Sequence, residues 1–114
     1  MPNKVFIGKQ IKIRQADIKD AQQIANLSEQ LEYDVTNQQI EARLTKIQYN
    51  NVHIVYLAAL VNEYVIGWAH AHISDLLIIP TQAIILGLVI DKNYRCSGIR
   101  RILMQVKNGV VLWL

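Results

Sequence analysis

Arg95-Cys96-Ser97-Gly98 is a basic turn with one glycine, set between two stretches of different periodicity. The apolar run over residues 84–90 has the length and composition of a strand and ends in the polar Asp91-Lys92-Asn93. After the turn, Ile99, Ile102, Leu103 and Val106 recur at helical spacing. A strand that feeds such a turn and then a helix builds an anion site. The first amides of a helix lack internal partners, and the helix dipole adds partial positive charge at that end. A phosphate or pyrophosphate fits there. The charges agree with this chemistry: Lys92, Arg95, Arg100, Arg101 and Lys107 crowd into residues 92–107, with Asp91 the acid beside them. Asp17, Asp20, Glu29, Glu32, Asp34 and Glu41 make an earlier stretch acidic.

Two further groups carry titratable chemistry. His70 and His72 share one face of a predicted strand with Trp68, because strand side chains alternate. Neutral imidazoles accept a proton near pH 7. The plainer reading, hydrogen-bonded histidines lining a sheet, is favoured. No third ligand accompanies the His-x-His pair, so no metal is expected. Glu32, Tyr33 and Asp34 occupy the turn between two predicted helices, where solvated loop charges are the ordinary outcome. Cys96 is the single cysteine; it excludes an internal disulfide and reads as a spectator without a base partner nearby.

The elements that must position these groups follow in order. Ile11-Lys12-Ile13-Arg14 alternates as a half-exposed strand does. Ala16-Asp17 opens a helix whose apolar stripe is Ile18, Ala21, Ile24, Ala25, Leu27 and Leu31. Thr36 with Gln39 forms a capping box and Val35 with Ile40 a hydrophobic staple, so a second helix starts there. Residues 53–60 and 64–74 read as a hairpin turning at Asn62-Glu63, and residues 83–90 as the next strand. A helix over 99–107 stops at Asn108-Gly109, and the apolar residues 110–114 read as a short last strand. The order is β-α-α-β-β-β-α-β, in a single domain spanning residues 1–114.

Arg95-Cys96-Ser97-Gly98-Ile99-Arg100 resembles the coenzyme A loop of the GNAT family of N-acetyltransferases, Gln/Arg-x-x-Gly-x-Gly/Ala. The first and fourth positions match; the sixth, usually small, is Arg100. Gly87-Leu88-Val89-Ile90-Asp91, Tyr94-Arg95, the stretch from Ile11 to Asp17 and that from Val65 to His70 are also similar to the family. The resemblance covers residues 11–114 and implies an α/β (α+β) fold, with a mixed, mostly antiparallel sheet flanked by helices. It implies acetyl-CoA as cosubstrate, held by Leu88, Val89, Ile90, Arg95, Cys96, Ser97, Gly98, Ile99, Arg100 and Arg101. The backbone amides of Leu88 and Val89 would polarise the thioester carbonyl, as an oxyanion hole does. The turn holding Glu32, Tyr33 and Asp34 would overlie the acceptor, a small-molecule or peptide amine, and His70 and His72 would be substitute bases. The family's frequent glutamate position is Leu86 here, and its usual fourth helix and last strands are lacking, so a truncated form is expected.

Acetyl transfer to a primary amine is the leading expectation. A weakly active or inactive relative that binds coenzyme A or a protein partner is the first alternative. A nucleic-acid module using the basic turn is the second, disfavoured because no aromatic residues interleave its charges. Net charge is +3 and no apolar run is long enough to cross a membrane. No signal peptide is evident, so a cytoplasmic protein is expected. The apolar residues 110–114 predict a homodimer or larger assembly through an exposed strand edge.

Overall fold

The computed structural model describes residues 11–104. The end of the helix predicted over 99–107, the strand predicted over 110–114 and the assembly expected through it lie outside the described residues. The elements run β1 (Ile11–Gln15), α1 (Ala21–Glu29), α2 (Asn37–Gln48), β2 (His53–Leu60), β3 (Val65–Ser74), β4 (Gln82–Ile90) and α3 (Ile99–Met104). The four strands form one antiparallel sheet in the order β1-β2-β3-β4. The class is mixed α+β, with helices on both faces.

Local chemistry sets the helix starts. The first predicted helix does not begin at Asp17. Asp17 instead caps a 3-10 turn, Ile18–Asp20, and its capping box with Asp20 hands over to α1 at Ala21. Thr36 and Gln39 form the predicted reciprocal box at α2: the Gln39 amide donates to Thr36 Oγ1 at 3.1 Å, and the Thr36 amide to Gln39 Oε1 at 3.0 Å.

Strand alternation divides the core. Leu57, Val55, Ala59, Val65 and Val89 meet Ile24, Leu27 and Leu44 of α1 and α2 on one face. Ile11, Tyr56, Ala58, Ile66 and Ala69 meet Ile99 and Leu103 of α3 on the other. Gly67 has little room beneath that second layer: a Cβ there would stand 2.9 Å from Ile90 Cδ1, 3.2 Å from the Val89 carbonyl and 3.4 Å from Leu103 Cδ1. Leu31, the last member of the predicted stripe, lies past the end of α1 and is exposed, so the stripe closes at Leu27.

Two register shifts shape the sheet. The pairing passes from Ala58–Gly67 to Ala59–Val65, leaving Ile66 as an extra residue on β3. It also passes from His70–Gly87 to Ala71–Ile85, leaving Leu86 as an extra residue on β4. Such bulges bend a strand and re-aim the residues that follow.

The β3–β4 connection carries Leu76, Leu77, Ile78 and Ile79, all exposed. Leu77 is 98% exposed and touches no core. Leu77→Ser is therefore expected to change unfolding free energy by no more than about 0.5 kcal/mol, checked by urea titration; a loss of several-fold that size would show that this tip packs.

Candidate functional site

The edge of β4 and the turn after it make one continuous surface. Asp91 continues the β4 ladder, its amide donating to the Ile66 carbonyl at 2.8 Å. In an antiparallel ladder the N–H and C=O of one residue point the same way, and direction alternates along the strand. Val89 and Gly87 therefore point toward β3, while Leu88 and Ile90 point to the outer edge. The Ile90 carbonyl is met there by Arg95 Nε, which donates to it at 3.0 Å. Among the described strands β4 is terminal, so the Leu88 and Ile90 amides face the open edge. Of the two amides expected to polarise a carbonyl, the Leu88 amide has that freedom and the Val89 amide is turned into the sheet.

The turn itself is tightly organised. Asp91 is buried; its carboxylate accepts from the Asn93 amide at 2.9 Å and from the Tyr64 hydroxyl at 3.3 Å. Ser97 Oγ donates to the Tyr94 carbonyl. Cys96 has φ 64° and Gly98 φ +92°, so the backbone curls twice into the left-handed region. A Cβ on Gly98 would meet nothing within 4 Å among the described residues, so they leave the space before α3 open. Ile99 is buried, while Arg95, Arg100 and Arg101 are exposed around this space. No ion pair among the described residues engages Lys92, Arg95, Arg100 or Arg101. Arg100, the departure from the loop pattern, stands in solvent on the first turn of α3.

On the α1–α2 face, beside the β4 edge, three imidazoles gather. His70 pairs in register with Gly87, and His72 with Ile84 on β4 and His53 on β2. His53 Nδ1 and His70 Nε2 share a hydrogen bond at 2.9 Å. The His72 ring meets the His53 ring edge-on with centroids 4.9 Å apart, and its Nδ1 lies 3.0 Å from Ser74 Oγ. Burial pushes the His70 imidazole below its ordinary value, and the charges of His53 and His72 act in the same direction. Among the described residues no group of three or more His, Cys, Asp or Glu is arranged to hold a metal ion. The sequence reading overlooked His53; only the register, which sets it opposite His72, brings it to the pair. The Trp68 indole lies over Gly87, whose Cβ would approach it to 2.9 Å, and its buried Nε1 has no hydrogen-bond partner among the described residues.

A pH dependence of stability follows. A His with a lowered value binds fewer protons folded than unfolded, so its contribution is complete above the unfolded value near 6.5. That contribution is lost as pH falls through the folded value. Urea midpoints should be flat above about pH 6.5 and decline below it, and His70→Gln should flatten the decline. An unchanged slope in that variant would assign the effect elsewhere.

Glu32, Tyr33 and Asp34 follow α1 and are exposed. The Glu32 amide donates to the Glu29 carbonyl at 2.8 Å and the Tyr33 amide to the Ser28 carbonyl at 3.1 Å. This is a Schellman ending with Glu32 in the left-handed slot, φ 65°, that glycine usually fills. Glu32→Gly should therefore stabilise the fold by up to about 1 kcal/mol, read as a higher urea midpoint. A lower midpoint would show that the glutamate side chain makes up the strain. The acidic stretch is less uniform than its sequence: Asp20 is buried and paired with Arg14, while Asp17, Glu29, Glu32, Asp34 and Glu41 are exposed.

A cleft of about 360 Å3 lies on this same α1–α2 face toward the β1 edge, between the end of α2 and the start of β2. Gln48, Asn50, Asn51 and His53 line it above Leu44 and Ile47. None of Glu32, Tyr33 and Asp34 reaches it.

No protein-family model matches the chain, and no curated protein matches it. Solved structures do. A GNAT family acetyltransferase from Staphylococcus aureus matches with TM-score 0.72 and 22% identity over 82% of this chain and 71% of its own. Glucosamine-6-phosphate N-acetyltransferase from Arabidopsis thaliana matches with TM-score 0.70 and 19% identity, over 83% of this chain and 69% of its own. An aminoglycoside N-acetyltransferase in complex with CoA matches with TM-score 0.70 and 19% identity, over 88% of this chain and 68% of its own. The fold is that of the GNAT acetyltransferases. No helix among the described residues is long and apolar enough to cross a membrane.

Proposed function

We propose that this chain belongs to the GNAT family and transfers an acetyl group from acetyl-CoA to a primary amine. The observation that carries the reading is the continuity of the β4 edge with the Arg95–Gly98 turn. Outward amides at Leu88 and Ile90 run into an open, cationic curl of backbone before α3. The curl suits a pyrophosphate, with Arg95, Arg100 and Arg101 in solvent as its counter-charges. The strand edge suits the amide-bearing arm of the coenzyme, which would lie along it as an added strand does. The Leu88 amide would then stabilise the oxyanion formed as the amine attacks the thioester. His70 serves as the proton acceptor: it is opposite Gly87, next to Leu88 in the chain, and burial favours its neutral form. The acceptor enters past Glu32, Tyr33 and Asp34, whose two carboxylates favour a cationic amine.

The test is thiol release from acetyl-CoA across a panel of amines: aminoglycosides, amino sugars, polyamines and peptides with free amino groups. Turnover with at least one cationic amine, weakening as salt rises, is expected. Saturable acetyl-CoA binding without turnover on any amine would favour a binding protein of this fold instead. A steep salt dependence of DNA or RNA binding without acetyl-CoA binding would favour the nucleic-acid reading.

A further inference from the structure

We infer that His53 is the proton outlet of the reaction, receiving from His70 the proton that the acceptor amine gives up and releasing it into the cleft beside α2. The inference rests on the acetyl-transfer reading and adds to it a residue and a route. Three placements carry it. His70 Nε2 and His53 Nδ1 lie 2.9 Å apart, close enough for a proton to pass between them. His70 occupies the β3 position opposite Gly87, beside the outward amide of Leu88. His53 also lines the cleft with Gln48, Asn50 and Asn51, so its ring bridges the buried face of the sheet and an opening.

The hydrogen bond itself constrains the protons. It requires one nitrogen to donate and the other to accept, so the pair loses it when both rings carry two protons. In the working tautomer His70 donates from Nε2, which leaves its Nδ1 lone pair to accept. His53 accepts at Nδ1 and carries its proton on Nε2. An ammonium acceptor gives one proton to His70 Nδ1; the Nε2 proton moves to His53 Nδ1; the His53 Nε2 proton leaves through the cleft. The freed amine attacks the thioester carbon, the C–N bond forms, and the C–S bond breaks with its electron pair on sulfur. The second amine proton goes to that thiolate. Ammonium and acetyl-CoA thus become amide, free thiol and one proton released to solvent.

The surroundings support the route. Leu86, two residues before Leu88, is aliphatic and exposed, so no carboxylate stands there. His53 and His72 are the titratable groups that act on His70, and the β4 residues opposite the two β3 histidines are Gly87 and Ile84. His72 rests edge-on against His53 and is anchored by Ser74, which holds the His53 ring in place for the bond. His53 acts through His70, so it is a positioning and relay residue.

Two variants and a rescue test the assignment. His53→Gln keeps an amide at the position and cannot carry a proton; His53→Ala opens the cleft toward His70. With the best amine found, kcat should fall about tenfold or more in both, with KM for acetyl-CoA and amine within twofold of wild type. Added imidazole should restore turnover in His53→Ala and not in His53→Gln, with its effect rising as neutral imidazole accumulates with pH. Equal kcat and an unshifted pH profile in His53→Gln, with wild type active, would overturn the relay and leave acetyl transfer standing. A loss in kcat of His53→Ala that imidazole does not rescue, or a loss in either variant accompanied by a matching loss of acetyl-CoA affinity, would also overturn it. An inactive wild type would instead remove the acetyl-transfer reading, and the relay with it. Thermal midpoints of both variants within a few degrees of wild type establish that they fold.

Discussion

Gly98→Asp is expected to weaken acetyl-CoA binding on the order of 100-fold, about 2.8 kcal/mol. Two effects add. Gly98 sits at φ +92°, which an L side chain adopts only under strain of about 1–3 kcal/mol. The new carboxylate would also project into space where no atom of the described residues lies within 4 Å of a Cβ, the space assigned to the pyrophosphate. Gly98→Ala separates the two, since it brings the backbone strain without the charge. Its loss should be smaller than that of Gly98→Asp, because the carboxylate's repulsion is absent. Calorimetry reads both. Equal affinities for wild type and Gly98→Asp would place the coenzyme elsewhere.

Asp20→Ala should cost about 3–5 kcal/mol of folding stability, among the largest losses from any polar substitution in this chain. The Asp20 carboxylate takes both Arg14 terminal nitrogens, at 2.8 and 2.7 Å, and the Asp17 amide at 2.7 Å. Its side chain is 3% exposed and that of Arg14 20%. Removing it takes the two shortest partners from a guanidinium whose Nε already lacks one among the described residues, and opens the turn that starts α1. Glu63 at 3.1 Å remains as a partial partner and bounds the loss. Burial pushes the Asp20 carboxyl up, but hydrogen bonds from Arg14 and Asp17 and the charges of Arg14 and Lys19 together hold it lower than usual. A lowered carboxyl contributes stability above its unfolded value and loses it as pH falls through the folded value. Wild type should therefore weaken below about pH 4, and Asp20→Ala should remove part of that slope. A urea midpoint near wild type would show that Arg14 finds equal company in Glu63.

What the sequence revealed was local. Thr36 and Gln39 announce a helix start because both partners of the box lie within one turn. The turn at Asn62-Glu63 and the glycine at 98 are likewise fixed by nearby backbone needs, Glu63 taking φ 69°. The missed features depend on register. Leu86 becomes a bulge only because β4 slips by one residue against β3, and nothing in its own type marks it. That slip decides which amides face the edge. His53 looked like an ordinary strand opening until pairing set it against His72 and His70. Asp20 read as part of an acidic surface, whereas Arg14 on β1 draws it into the fold. Charge counted along a chain assigns sign to a region and leaves open which members are consumed by structure.

Titration calorimetry of the wild-type chain with acetyl-CoA tests the central claim most directly. One coenzyme per chain should bind with a dissociation constant in the micromolar range, about −8 kcal/mol. The affinity should fall as salt rises, because exposed Arg95, Arg100 and Arg101 supply the counter-charges. An absence of saturable heat at millimolar acetyl-CoA would contradict the account, leaving an acetyltransferase fold without its coenzyme site.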